Sequence, residues 1–183
     1  HNSPGSPFLV LEKVNQVNYV LLQGGEDMRY SDADITRLGG SYAYRIAYQT
    51  PENARTGRIV FYDILEEAGE DGWHGTFNYL SYGTLSNPGG TGYNYRYYYS
   101  TSDQVSYDVD ETLDINNTAL WSTTIPSDRG SIKAVAVAIT PATSFAPGSV
   151  VYGYIGMIAP SATEEEGISS TWNRARVKAE IIP

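Results

Sequence analysis

The alternation of apolar and polar positions is clearest at the C-terminal end of the chain. From Thr171 to Ile181, the residues Asn173, Ala175, Val177, Ala179 and Ile181 fall on one side of an extended chain. Arg174, Arg176, Lys178 and Glu180 fall on the other. Successive strand side chains point to opposite faces, so this period of two predicts one strand with a buried face and a charged, wet face. Asn173 interrupts the apolar side with an amide. A buried amide costs free energy unless something pairs with it, so the strand poses the question of its partner.

The same period recurs upstream. Residues 8–14 predict a first strand, with Leu9, Leu11 and Lys13 on one face and Val10, Glu12 and Val14 on the other; 18–22 continue as a second. Residues 24–40 carry Glu26, Asp27, Asp32 and Asp34, end on Gly39-Gly40, and read as an acidic, irregular stretch. Residues 41–49 set Tyr42, Tyr44, Ile46 and Tyr48 against Ala43, Arg45 and Ala47, a strand by period and by propensity. After a turn over 51–57, residues 58–65 are apolar on both faces, as expected of a central strand. Asp63 lies on the side of Ile59, Phe61 and Leu65.

An acidic loop follows, then predicted strands over 73–82 and 93–100, separated by Asn87-Pro88-Gly89-Gly90. An acidic stretch over 103–117 leads to Trp121. Strands are predicted over 131–140 and 149–157, then a loop with Glu164-Glu165-Glu166 before the closing strand. The punctuation implies about eight to ten strands, no long helix, no repeat and no break in composition. The expected fold is all-β: an immunoglobulin-like β-sandwich with loop insertions, one domain over 8–183. Residues 1–7, His-Asn-Ser-Pro-Gly-Ser-Pro, read as a tag or linker remnant outside it.

Composition narrows the function. A chain of 183 residues can bury a sizeable core. A formal net charge of −9 argues against nucleic acid and anionic membranes, which both call for basic patches. No apolar run approaches the roughly 20 residues of a spanning helix, so no membrane insertion is expected. There is no cysteine, hence no disulfide, thiol chemistry or Cys-based zinc site. The 16 tyrosines and the acidic, Thr/Ser/Gly-rich remainder are usual for exported β-modules. No signal peptide is recognisable, as expected of a mature segment.

Gly40-Ser41-Tyr42-Ala43-Tyr44-Arg45-Ile46, followed by Val60-Phe61-Tyr62-Asp63-Ile64-Leu65, resembles the core of isopeptide-forming immunoglobulin-like modules in Gram-positive cell-surface adhesins and pilins. Gly72-Trp73-His74-Gly75-Thr76-Phe77, Tyr98-Tyr99-Ser100-Thr101, Trp121-Ser122-Thr123, Ile132-Lys133-Ala134-Val135-Ala136 and Ala146-Pro147-Gly148 resemble later parts of such modules. Asn173-x-Ala175-x-Val177 resembles their ending. The resemblance covers most of 40–181 and rests on the order of these segments. It implies a secreted module, at the cell surface or attached to the cell wall, whose partners are neighbouring modules of the same protein and a host protein or glycan. It implies no cofactor. It also implies an isopeptide bond between a lysine on the first strand and an asparagine on the last, promoted by a buried acid. By position these are Lys13, Asn173 and Asp63.

Strand parity puts all three on core-facing sides. Burial lowers a lysine pKa and raises that of a carboxylic acid, which favours a neutral amine beside a protonated acid able to polarise the Asn173 carbonyl and move protons as ammonia leaves. Such a chain reacts once and is no turnover enzyme. The plain alternative stays open: Lys13 snorkels at a strand end, Asn173 caps a turn and Asp63 pairs with an arginine. Glu12 is a poorer acid by parity, and Lys133, on the side of Val135 and Val137, is a reserve amine.

Three other sites are conceivable. Trp73, Tyr95, Tyr97, Tyr99 and Trp121 can form a sugar-stacking platform, which makes a carbohydrate-binding module the second reading; tyrosines at alternating strand positions equally make a half-buried sheet face. Asp108, Asp110 and Asp114 offer hard oxygens to calcium but lack an EF-hand pattern, and a solvated acidic loop explains them as well. A hydrolase would rest on Asp63 with Glu66 or Glu67, neighbours rather than facing carboxylates, or on His74 alone.

Overall fold

Nine strictly alternating residues, Ser41–Gln49, form a central strand, and the fold is layered around it. A computed structural model describes residues 8–11, 18–24, 27–31, 33–35, 39–66, 74–78, 91–161 and 170–182. Among them are twelve strands: β1 (Phe8–Leu11), β2 (Asn18–Gly24), β3 (Asp27–Ser31), β4 (Ala33–Ile35), β5 (Ser41–Gln49), β6 (Arg55–Ile64), β7 (Thr76–Phe77), β8 (Tyr93–Ser100), β9 (Ala134–Pro141), β10 (Val150–Ile158), β11 (Ser170–Asn173) and β12 (Arg176–Ile182). Helix among the described residues is limited to single 3-10 turns at Asp110–Thr112 and Arg129–Ser131.

The strands form a five-stranded sheet in the order β3-β2-β5-β10-β7, a four-stranded sheet in the order β12-β6-β9-β8, and a small sheet, β11-β1-β4. The two larger sheets are antiparallel and pack as an all-β sandwich. Their shared core takes Tyr42, Tyr44 and Ile46 from β5 and Val151, Ile155 and Met157 from β10. Facing them are Ile59 and Phe61 from β6, Val135, Val137 and Ile139 from β9, and Tyr97 and Tyr99 from β8. Each large apolar side chain so buried contributes about 1.5–3 kcal/mol. Gly153 of β10 faces Phe61; a Cβ there would stand 2.7 Å from the ring, so the close approach of the sheets requires glycine.

The outer face of the four-stranded sheet is also covered. Val60, Tyr62 and Ile64, with Ala134, Ala136 and Ala138, pack beneath Val105, Leu113, Ile115 and Trp121. That third layer explains why β6 is apolar on both faces. The acidic stretch 103–117 is therefore more than a solvated loop, because its apolar residues cap a sheet.

The structure departs from the sequence expectation in several places. Of the predicted 73–82 strand, only Thr76–Phe77 is strand among the described residues 74–78, because only these two pair, with β10. The stretch 24–40 contains β3 and β4 rather than irregular chain. The 131–140 strand begins at Ala134, and Lys133 is exposed ahead of it. The closing strand is two strands in different sheets: β11 pairs with β1, β12 pairs with β6, and Arg174-Ala175 lies between. Its apolar side is not uniformly buried either, since Ile181 is 45% exposed beyond a register shift at Ala179/Ile181.

The break sets up the site. β1 and β11 run parallel, with Val10 opposite Trp172 and Leu11 opposite Asn173. The beginning and the end of the described chain are thus adjacent, and Asn173 is the last residue of β11 before the chain crosses to the other sheet.

Candidate functional site

Asn173 is completely buried, and both ends of its amide are engaged. The nitrogen Nδ2 donates to Oδ2 of Asp63 at 2.6 Å. The oxygen Oδ1 accepts the backbone N–H of Glu66 at 2.8 Å. A backbone N–H can only donate, so it fixes which end of the amide is oxygen and leaves the nitrogen facing the acid. The sequence expectation that Asp63 polarises the carbonyl is thereby corrected: Asp63 holds the amide nitrogen, and Glu66 N–H polarises the carbonyl.

Asp63 occupies the end of β6, opposite Val135, and is also completely buried. Its second oxygen, Oδ1, has no hydrogen-bond partner among the described residues. Burial pushes this carboxyl well above the usual aspartate range; the Asn173 hydrogen bond opposes the shift and the Glu66 charge adds to it. The group is accordingly a buried acid, and among the described residues Asp63 has no arginine partner.

In the sequence, Glu66 is only the start of an acidic loop or one half of a carboxylate pair. It is 1% exposed and is the one non-glycine residue with positive φ (58°) among the described residues. That left-handed backbone costs free energy and persists only where surroundings enforce it. Here the side chain is clamped: Oε1 accepts Tyr42 Oη at 2.8 Å and Gly75 N at 2.7 Å. With the side chain fixed, the main chain turns its N–H toward Asn173. Gly75 is required at this spot, since a Cβ would stand 1.9 Å from Tyr42 Oη and 2.9 Å from Ile158 O. Tyr44 completes the wall, edge-on to Tyr42 at 5.6 Å, and burial raises both phenols well above their ordinary value.

Of the predicted triad, the structure brings Asp63 and Asn173 into contact. Lys13 and Glu12 lie outside the described residues; Leu11, two positions before Lys13, is the register partner of Asn173. The exposed Lys133 is no buried amine.

The aromatic platform is not assembled. Tyr97 and Tyr99 lie in the core between the sheets, with Tyr97 Oη donating to Tyr154 O at 2.7 Å, and Tyr95 Oη accepts Tyr154 N at 2.7 Å. Trp121 is buried on the opposite face of that sheet, against Tyr62, with Nε1 donating to Thr112 O. Trp73 lies outside the described residues. The acids of the calcium candidate, Asp108, Asp110 and Asp114, are exposed; Asp110 pairs with Lys178 at 3.1 Å, and Asp114 Oδ1 accepts Asn116 N. Among the described residues no group of three or more His, Asp or Glu side chains converges on a metal position. His74 is exposed. Among the described residues no helix is long and apolar enough to cross a membrane.

No protein-family model matches the chain, and neither a curated protein nor a solved structure matches it.

Proposed function

We propose that this chain is a load-bearing, immunoglobulin-like module of an exported bacterial surface protein, locked by an amide bond between Lys13 and Asn173. The observation that carries the reading is the completely buried Asn173 amide, gripped between a buried acid and a backbone N–H on a strand paired with the start of the chain. A structural asparagine needs partners, but it has no need of a carboxyl whose pKa burial has raised against its nitrogen.

In the proposed reaction the neutral Lys13 amine attacks Cγ of Asn173. Negative charge develops on Oδ1, where Glu66 N–H already donates, as in an oxyanion hole. Asp63 gives its proton to Nδ2, the C–N bond breaks and ammonia leaves. The proton lost by the attacking nitrogen returns to Asp63, so the acid is regenerated and no cofactor is consumed. Folding supplies the proximity that such an intramolecular reaction depends on.

The bond would close a loop of nearly the whole chain, stabilising it by about 4–5 kcal/mol in the chain-entropy picture. An amide also resists reductants, which suits a stalk exposed outside the cell. Peptide mapping tests the assignment. A proteolytic digest should contain one branched peptide joining the segment with Lys13 to the segment with Asn173; recovery of both as separate, unmodified peptides rejects it.

A further inference from the structure

Tyr107, in the segment that covers the outer face of the four-stranded sheet, reaches the reacting pair from behind. Its hydroxyl accepts the backbone N–H of Ile64 at 2.8 Å and donates to the backbone carbonyl of Arg174 at 2.6 Å. Ile64 directly follows Asp63, and Arg174 directly follows Asn173. One oxygen therefore ties together the two main chains that carry the acid and the amide, each one residue past its functional side chain.

The tie sits where regular pairing is missing. β11 ends at Asn173 and β12 starts at Arg176, so Arg174 lies outside any described strand. Pairing of β6 with β12 begins at Tyr62 and Arg176, short of Asp63. The phenol bridges this gap. Its ring is held in turn: the guanidinium carbons of Arg174 and Arg176 each lie 5.4 Å from the ring centroid, and Arg176 Nη1 donates to Tyr107 O at 2.8 Å. Two arginines on the expected wet side of the closing strand are thereby assigned a purpose.

We infer that Tyr107 is a positioning residue for amide formation at Asn173, acting through its hydroxyl to hold the Asp63 and Asn173 main chains in reacting register. This rests on the crosslink reading above. Tyr107 touches no reacting atom, so it should affect how often the pair is aligned and not the proton affinity of Asp63. Displacement of a reacting pair by about 1 Å costs up to roughly a hundredfold in rate.

The test is the rate of ammonia loss after refolding from denaturant, followed by intact mass as a function of pH, well below the melting temperature of every variant. Tyr107→Phe keeps the ring and its arginines and removes only the bridging oxygen. It should slow crosslinking by roughly tenfold or more without moving the pH midpoint of the rate. Leu113→Ala loosens the same covering segment without touching the bridge; it should lower the melting temperature and leave the rate alone. Wild-type protein that crosslinks while Tyr107→Phe crosslinks equally fast overturns the role of Tyr107 alone, as does Leu113→Ala slowing the reaction as much as Tyr107→Phe. Wild-type protein that never loses ammonia overturns the crosslink and this role with it.

Discussion

Asn173 Nδ2 and Asp63 Oδ2 lie 2.6 Å apart with neither residue exposed to solvent, although 110 positions separate them in the chain. The nitrogen that would depart as ammonia is the atom facing the acid. The oxygen that would take up charge faces a backbone N–H. This division of labour makes the two nearby carboxylates, Asp63 and Glu66, unequal, and it can be tested by changing each.

Asp63→Asn should abolish crosslinking. The new amide oxygen still accepts the Asn173 hydrogen bond, but the side chain has no acidic proton to deliver. Glu66→Gln should keep crosslinking, because a carboxamide oxygen can still accept Tyr42 and Gly75 while the backbone N–H is untouched. Intact mass after refolding distinguishes the two. Loss of the reaction in Glu66→Gln with retention in Asp63→Asn would reverse the assignment.

The raised carboxyl of Asp63 carries a sign for stability. Below the unfolded value of about 3.9 both states hold the proton, and the group contributes nothing. As pH rises past that value, the unfolded chain releases its proton freely while the folded chain retains it. Stability therefore falls until the folded carboxyl itself ionises. In an uncrosslinked Lys13→Ala background, Asp63→Asn should gain in urea midpoint over its parent progressively as pH rises from about 4 toward the raised value of the folded carboxyl. A difference that is the same at both ends of that range would contradict the buried-acid assignment.

Gly75→Ala should strike the clamp on Glu66. The added methyl would meet Tyr42 Oη and the Ile158 carbonyl at distances no real Cβ occupies, so a strand or a ring must move. The expected cost is about 1–3 kcal/mol in denaturant unfolding, with slower ammonia loss as Glu66 N–H leaves its place. Unchanged stability and rate would show that the clamp does not hold the site.

The aromatic residues should behave as core and not as a ligand surface. Trp121→Ala should cost about 3–5 kcal/mol, in the range of other large buried rings. Tyr97→Phe, which loses the hydroxyl's bonds to Tyr154 O and Tyr95 Oη but keeps the ring, should cost about 1 kcal/mol. A glycan array that scores a hit abolished by these changes, with melting temperature unaltered, would revive the carbohydrate reading.

Strand period alone located much of this architecture. β5 and β8 match the expected 41–49 and 93–100 spans, and parity placed Asp63 and Asn173 on buried sides. What escaped depended on long-range contacts. β3 and β4 are only five and three residues long, too short to show a period of their own, and are defined by their pairing with β2 and β1. The sheet switch at Arg174-Ala175 leaves the alternation unbroken, because both halves keep the same parity while changing neighbours. Glu66 looked like one more acid before a loop; its burial follows from Tyr42 and Gly75 meeting it from other parts of the chain. Tyr107 had no local signal at all, since both of its backbone partners are distant.

The most direct measurement is the mass of the intact, purified wild-type chain beside Lys13→Ala and Asn173→Ala. The wild-type mass should fall below that of its sequence by one ammonia, about 17 Da, with full sequence mass for both variants. A folded wild-type chain at full sequence mass would contradict the crosslink and leave Asn173 as a buried structural amide.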